Sequence, residues 1–203
     1  MFYYCDIPDE KLFFYSIKDF PRERFCFPDI TALFEETPQL YSEIIDRMVE
    51  FLKNEEFSAI ACIESFGYLF GAPLAYILNK KIVLVRKPGK LPRDVWKIQY
   101  DMCYDNNREL EIHKSNIKRG EKIVVIDDFL ASGNTYFSSR SLIEKCGGEV
   151  ICGCFVATIP DLLKESISKF KEEKIYSYCE IIYDERLQKW KVYKNNCRKK
   201  DLL

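Results

Sequence analysis

Two adjacent carboxylates, Asp127 and Asp128, follow the apolar run Ile123-Val124-Val125-Ile126 and precede Phe129-Leu130 and the small-residue loop Ala131-Ser132-Gly133-Asn134-Thr135. The β-branched run predicts a buried strand. Thr135 opens a predicted amphipathic helix, Tyr136 to Cys146. A buried strand, a loop of small residues and a helix N-terminus form an anion site, because backbone N–H groups and the helix dipole face the ligand. Ala131, Ser132 and Gly133 let a phosphate approach the backbone, and Ser132 and Thr135 add hydroxyl donors. The Asp pair suits the vicinal hydroxyls of a ribose, or Mg²⁺ beside them. No Gly-Lys-Ser/Thr follows, so this is not the Walker A loop.

Two further loops have matching chemistry. Glu64-Ser65-Phe66-Gly67 follows the apolar run Phe57–Ile63 and opens a helix predicted over Gly67–Asn79, so its N–H groups suit a second phosphate cluster. Arg86-Lys87-Pro88-Gly89-Lys90-Leu91-Pro92-Arg93 follows the strand predicted at Lys81–Val85 and carries four cations, stiffened by two prolines. Alone it reads as a solvated basic loop. Beside two phosphate-type loops it reads as a pyrophosphate clamp.

The elements that must position these loops alternate along the chain. A helix is predicted over Pro38–Lys53, with Leu40, Ile44, Ile45, Met48 and Leu52 on one face and Thr37 as N-cap. Strands are predicted at Trp96–Tyr104 and Arg108–His113 around an Asp105-Asn106-Asn107 turn, then at Val150–Ile159 and Ile175–Tyr183, with a helix at Pro160–Glu172. This alternation implies an α/β fold, a parallel sheet with helices on both faces, and ligands at the carboxyl ends of its strands.

Composition agrees with one domain of 203 residues: 47% hydrophobic, 31% charged, net charge −1. The charge gives no footprint for nucleic acid or anionic membrane, no apolar run has membrane-spanning length, and Met1 to Asp6 does not read as a signal peptide. The expectation is a cytoplasmic protein. Its nine cysteines form no CxxC pair and read as reduced, buried thiols; Cys152-Gly153-Cys154 lacks a second ligand pair for a metal. The only histidine, His113, reads as a strand residue with a satisfied ring. The basic tail from Lys189 to Lys200, with interleaved aromatics, reads as a solvated extension rather than an RNA contact.

Phe20-Pro21, Phe27-Pro28-Asp29-Ile30-Thr31, Glu64 to Gly71, Arg86 to Pro92, Leu110 to Lys114 and the Asp127-Asp128 motif occur in this order. Together they resemble the adenine phosphoribosyltransferases, type I phosphoribosyltransferases that use 5-phosphoribosyl-1-pyrophosphate (PRPP), over about Ile17 to Tyr183. The resemblance implies a Mg²⁺-dependent purine-salvage enzyme converting adenine and PRPP to AMP and pyrophosphate, commonly a homodimer. It implies a five-stranded parallel core (about 36–185) under an N-terminal hood (about 1–35), with a basic extension at 186–203. By the same resemblance Ala131, Ser132, Gly133, Asn134 and Thr135 hold the 5′-phosphate. Asp127 and Asp128 meet the ribose hydroxyls beside a Mg²⁺ held mainly by PRPP. Ser65 and Gly67 lie at the pyrophosphate loop. Arg86, Lys87 and Lys90 stabilise the leaving group, Phe27 and Phe129 sandwich the purine, and Cys26 and Tyr104 complete the base and hairpin sites.

Several positions depart from the family pattern. Phe66 stands where an Arg is usual, Asn134 where a second glycine is usual, and Cys103-Tyr104 where Glu-Tyr is usual. Pro28 stands where a backbone N–H usually meets the ring, and proline has none. Phe129 and the Glu-Ser pair also occur in xanthine phosphoribosyltransferases. A phosphoribosyltransferase for xanthine, hypoxanthine or guanine, or a non-catalytic PRPP-binding regulator, is therefore the alternative.

Overall fold

A computed structural model describes residues 2–4, 14–102 and 105–193. The main sheet is built on parallel strands β4 (Ala59–Ile63), β5 (Lys81–Val85), β8 (Lys122–Leu130), β9 (Glu149–Thr158) and β10 (Ile175–Asp184), in the spatial order β10-β9-β8-β4-β5. These strands are apolar along their length because both sheet faces are covered. Ile60, Cys62, Val124 and Ile126 point to one face, where they pack with helices α2 (Pro38–Leu52) and α3 (Gly67–Ile77). Ala61, Ile63, Ile123 and Val125 point to the other, towards helix α4 (Asn134–Lys145) and the hairpin of β6 (Val95–Met102) and β7 (Asp105–His113). The two clusters are the core, and the sheet divides them.

Among the described residues the sheet has seven strands, two more than the expected parallel core. The outer side of β10 is shared. β1 (Phe2–Tyr4) pairs in parallel with its first half, and β11 (Lys189–Tyr193) pairs antiparallel with its second. So Lys189–Tyr193 is not a solvated tail. Trp190 is buried, its indole N–H donates to the Cys26 carbonyl at 3.0 Å, and its backbone N–H donates to Ser16 Oγ at 3.0 Å. This ties the sheet to the small antiparallel pair β2 (Tyr15–Lys18) and β3 (Cys26–Asp29), which with α1 (Thr31–Glu35) stands over the carboxyl edge.

Other differences have local causes. Thr37 is the N-cap of α2 by position, but its hydroxyl donates back to the Leu33 carbonyl, and Pro38 starts the helix. α3 ends at Ile77 rather than Asn79, because Asn79 turns left-handed at φ 51°. The Asp105-Asn106-Asn107 turn is instead the start of β7: Met102 pairs with Asp105, so the cross-strand ladder overrides local turn propensity. The predicted helix Pro160–Glu172 breaks into α5 (Pro160–Leu163) and a 3₁₀ turn at Ile167–Phe170. His113 is buried at the end of β7, where Arg93 donates to its Nδ1 at 3.0 Å. Its ring is only half satisfied, since Nε2 has no partner among the described residues. No helix among the described residues is long and apolar enough to cross a membrane.

Candidate active site

The carboxyl ends of β4, β5 and β8 open into a cleft of about 300 Å³. Asp127, Asp128 and Phe129 form its floor, and Ala131, Ser132, Gly133 and Thr135 continue that floor into α4. Glu64, Ser65 and Phe66 line one wall, with Lys87 beside them. Phe25, Phe27 and Pro28 of the hood line it as well, as do Tyr100 and Arg108 of the β6–β7 hairpin.

Gly133 caps α4 at φ 81°, a left-handed conformation that favours glycine. Gly133 has no side chain to cap the helix and the first turn carries no acidic residue; Ser132 Oγ accepts from the Asn134 N–H at 3.4 Å, and the positive end is otherwise suited to a ligand. The Tyr100 hydroxyl is hydrogen-bonded to Thr135 and to Arg108, which sets the hairpin against this end. Asp128 N–H donates to Asp127 Oδ1 at 3.0 Å and Phe129 N–H to Asp128 Oδ1 at 2.8 Å, which orients both carboxyls. Burial and the neighbouring Asp128 push the Asp127 carboxyl well above its ordinary value, and burial raises Asp128 too. Such a pair is stabilised by hydroxyl donors or a cation.

The basic loop hangs from two carboxylates. Glu64 Oε2 accepts from Lys87 N–H at 3.0 Å and from Arg86 Nε at 3.2 Å. Glu111, almost fully buried, accepts backbone N–H bonds from Gly89 (3.1 Å), Lys90 (2.9 Å) and Leu91 (2.9 Å). Burial alone would raise the Glu111 carboxyl, but these three donors, with the nearby Lys97 ammonium, outweigh it and hold the group below its ordinary 4.5. Its stabilisation is therefore complete above that value and is lost as pH falls through the depressed one. Glu111→Ala leaves three loop N–H groups without an acceptor and is expected to cost about 2–4 kcal/mol in denaturant unfolding at neutral pH. Glu111→Gln, which keeps one acceptor oxygen, is expected to lose less.

The cleft thus brings together Ser65, Lys87, Asp127, Asp128, Phe27, Phe129, Ala131, Ser132, Gly133 and Thr135. Others go elsewhere. Arg86 donates to Glu64 and to the Lys90 carbonyl, and neither Arg86 nor Lys90 lines the cleft. Cys26 alternates with Phe27 along β3 and packs into the core below Trp190. Asn134 lines a shallow neighbouring recess. Gly67 serves close packing: a Cβ there would lie 2.6 Å from the Ile126 carbonyl oxygen. Tyr104, with Cys103, lies outside the described residues. Sequence reasoning missed Tyr100 and Arg108, which face each other across the hairpin in register. It also missed the loop-holding roles of Glu64 and Glu111, although both stand inside the motifs.

Residues 32–193 match the model of the phosphoribosyl transferase domain. The chain belongs to the phosphoribosyltransferase family. Its relatives include the adenine phosphoribosyltransferase of Shewanella pealeana, 42% identical over 165 residues, covering 81% of this chain and 89% of that one. That of Pseudothermotoga lettingae is 39% identical and covers 84% and 99%. Among solved structures, adenine phosphoribosyltransferase from Thermoanaerobacter pseudethanolicus superposes with a TM-score of 0.75 at 34% identity, covering 83% and 95% of the two chains. The Giardia lamblia enzyme, complexed with 9-deazaadenine, gives 0.76 at 26% identity, covering 82% and 93%.

Within this phosphoribosyltransferase, Phe66 does more than remove a charge. Its ring stacks on Phe34 at 6.2 Å and 8°, so the Glu64–Phe66 side of the cleft is continuous with the aromatic packing under α3.

Proposed function

We propose that the cleft transfers a phosphoribosyl group from PRPP to adenine, giving AMP and pyrophosphate. The observation that carries this reading is the Asp127-Asp128 pair, raised by burial, set beside the N-terminus of α4. A ribose 5-phosphate needs both: acceptors for its hydroxyls and donors for its phosphate. The relatives and solved structures named above support adenine as the base.

Asp127 and Asp128 accept from the ribose hydroxyls and hold the sugar while positive charge develops at C1. The loop 131–135 holds the 5′-phosphate, which fixes C1 relative to the base. Phe27 and Phe129 lie along the two faces of the purine. Lys87 offsets charge on the departing pyrophosphate. Tyr100 and Arg108 shelter the site from water, which would otherwise hydrolyse the activated sugar.

Among the described residues no three His, Cys, Asp or Glu side chains converge on a metal site. The Asp127 and Asp128 carboxylates, hard oxygen donors in a cleft, would hold Mg²⁺ together with PRPP. Mg²⁺ held there would supply charge neutralisation at the pyrophosphate. The exposed side chains of Leu69, Tyr76 and Ile77 on α3 support a homodimer.

Lys87→Ala is expected to reduce turnover with PRPP and weaken pyrophosphate inhibition, at a cost of about 1.5–3 kcal/mol for a desolvated charge-assisted contact. Lys90→Ala, whose backbone rather than side chain holds the loop, is expected to have little effect. Initial rates and pyrophosphate inhibition constants check both; normal values in Lys87→Ala would make the run a plain surface loop.

A further inference from the structure

The segment between β9 and β10 contacts the phosphate loop at two points and helix α4 at a third. Ser166, 7% exposed, places its hydroxyl 2.6 Å from the Ser132 carbonyl oxygen and 3.2 Å from that of Leu163. Phe170, 2% exposed, lies under Gly133, where a Cβ would come within 2.7 Å of its ring. It also packs on Phe137 at 4.6 Å and on Tyr136 at 5.9 Å. Glu173, 7% exposed, accepts from the Tyr136 hydroxyl at 2.7 Å and pairs with Arg140.

These residues therefore hold the loop and the first two turns of α4 from behind. A cradle for a phosphate must present N–H groups and keep carbonyl oxygens away from the anion. Ser132 C=O belongs to the loop, and it is directed to a buried donor behind it. The same contact accompanies the break in the expected helix: Ser166 lies between α5 and the 3₁₀ turn, with its hydroxyl on another segment's carbonyl.

We propose that Ser166 is a positioning residue for the 5′-phosphate subsite, fixing the Ser132 peptide so that the loop presents donors to the phosphate, with Phe170 and Glu173 bracing the same unit. This rests on the phosphoribosyl-transfer reading. The hydroxyl does not touch substrate, so its loss acts on one end of PRPP only. Lys87, on a separate loop, is left as it is.

The test is calorimetric titration of wild type, Ser166→Ala and Ser166→Thr with ribose 5-phosphate, AMP and Mg²⁺–pyrophosphate, together with thermal melts. Ser166→Ala is expected to bind ribose 5-phosphate and AMP roughly threefold to tenfold more weakly, the worth of about one hydrogen bond. Pyrophosphate affinity is expected to stay within about twofold, since its loop keeps its own carboxylate anchors. Ser166→Thr, which retains the donor, is expected to recover the AMP affinity. Unchanged AMP binding in Ser166→Ala, or an equal loss for AMP and pyrophosphate, overturns the proposal. Wild type that binds neither ribose 5-phosphate nor AMP overturns instead the function on which it rests.

Discussion

Replacing Asp127 and Asp128 together with Asn is expected to yield a protein that is more stable at neutral pH and unable to hold PRPP. Both carboxyls sit above their ordinary value of 3.8, Asp127 through burial and the adjacent charge, Asp128 through burial. The folded state therefore binds their protons more tightly than the unfolded chain does. Stability then falls as pH rises from 3.8 through the raised values, and stays reduced above them. The Asn pair removes this penalty, a gain on the order of 1 kcal/mol. PRPP binding moves the other way. Each ribose hydroxyl donated to a carboxylate contributes about 1.5–3 kcal/mol, so losing both lowers affinity by roughly two to four orders of magnitude. In wild type the affinity for PRPP falls as pH drops into the same window. Denaturant melts across pH and calorimetric titration check both directions; a less stable variant with normal PRPP affinity contradicts the assignment.

Gly133→Val is expected to remove PRPP and AMP binding and to lower stability by about 2–4 kcal/mol. Position 133 holds φ 81°, and a Cβ there would meet the ring of Phe170 at 2.7 Å. A β-branched residue is strained in that region and pushes the loop off its support. The side chain meets Phe170 behind the loop, so binding is lost because the cradle shifts. Gly133→Ala carries the same backbone strain with less bulk and is expected to fall between the two. Unfolding curves and AMP titration read the effect; Gly133→Val with wild-type AMP affinity would show that the loop is not the phosphate site.

The sheet strands were legible because a buried parallel strand carries continuous apolar residues, as in Ala59–Ile63 and Ile123–Ile126. The acid pair and its loop were legible because small residues between a strand and a helix have few other uses. What failed depends on long-range partners. Lys189–Tyr193 looked like a basic tail, yet Trp190 is buried under the hood and donates to the Cys26 carbonyl. Pro160–Glu172 has helical composition, but Ser166 and Phe170 contact the 131–135 loop instead of continuing a helix. The basic loop was found by its charges, but those charges do not all face the cleft: Arg86 is paired with Glu64, and only Lys87 of the expected cations lines the site. The alternation that separates Cys26 from Phe27 follows from strand periodicity, which the sequence motif alone did not apply.

The direct test is product formation from PRPP and Mg²⁺ with adenine, hypoxanthine, guanine and xanthine in parallel. Adenine is expected to be converted to AMP with one pyrophosphate released. Its margin over the other purines is expected to be narrowed by about one to two decades, because Pro28 lines the cleft without an N–H donor and a missing bond there costs about 1–3 kcal/mol. Turnover of another purine far above adenine would contradict the base assignment, and no turnover with any purine would contradict phosphoribosyl transfer and leave a PRPP-binding regulator.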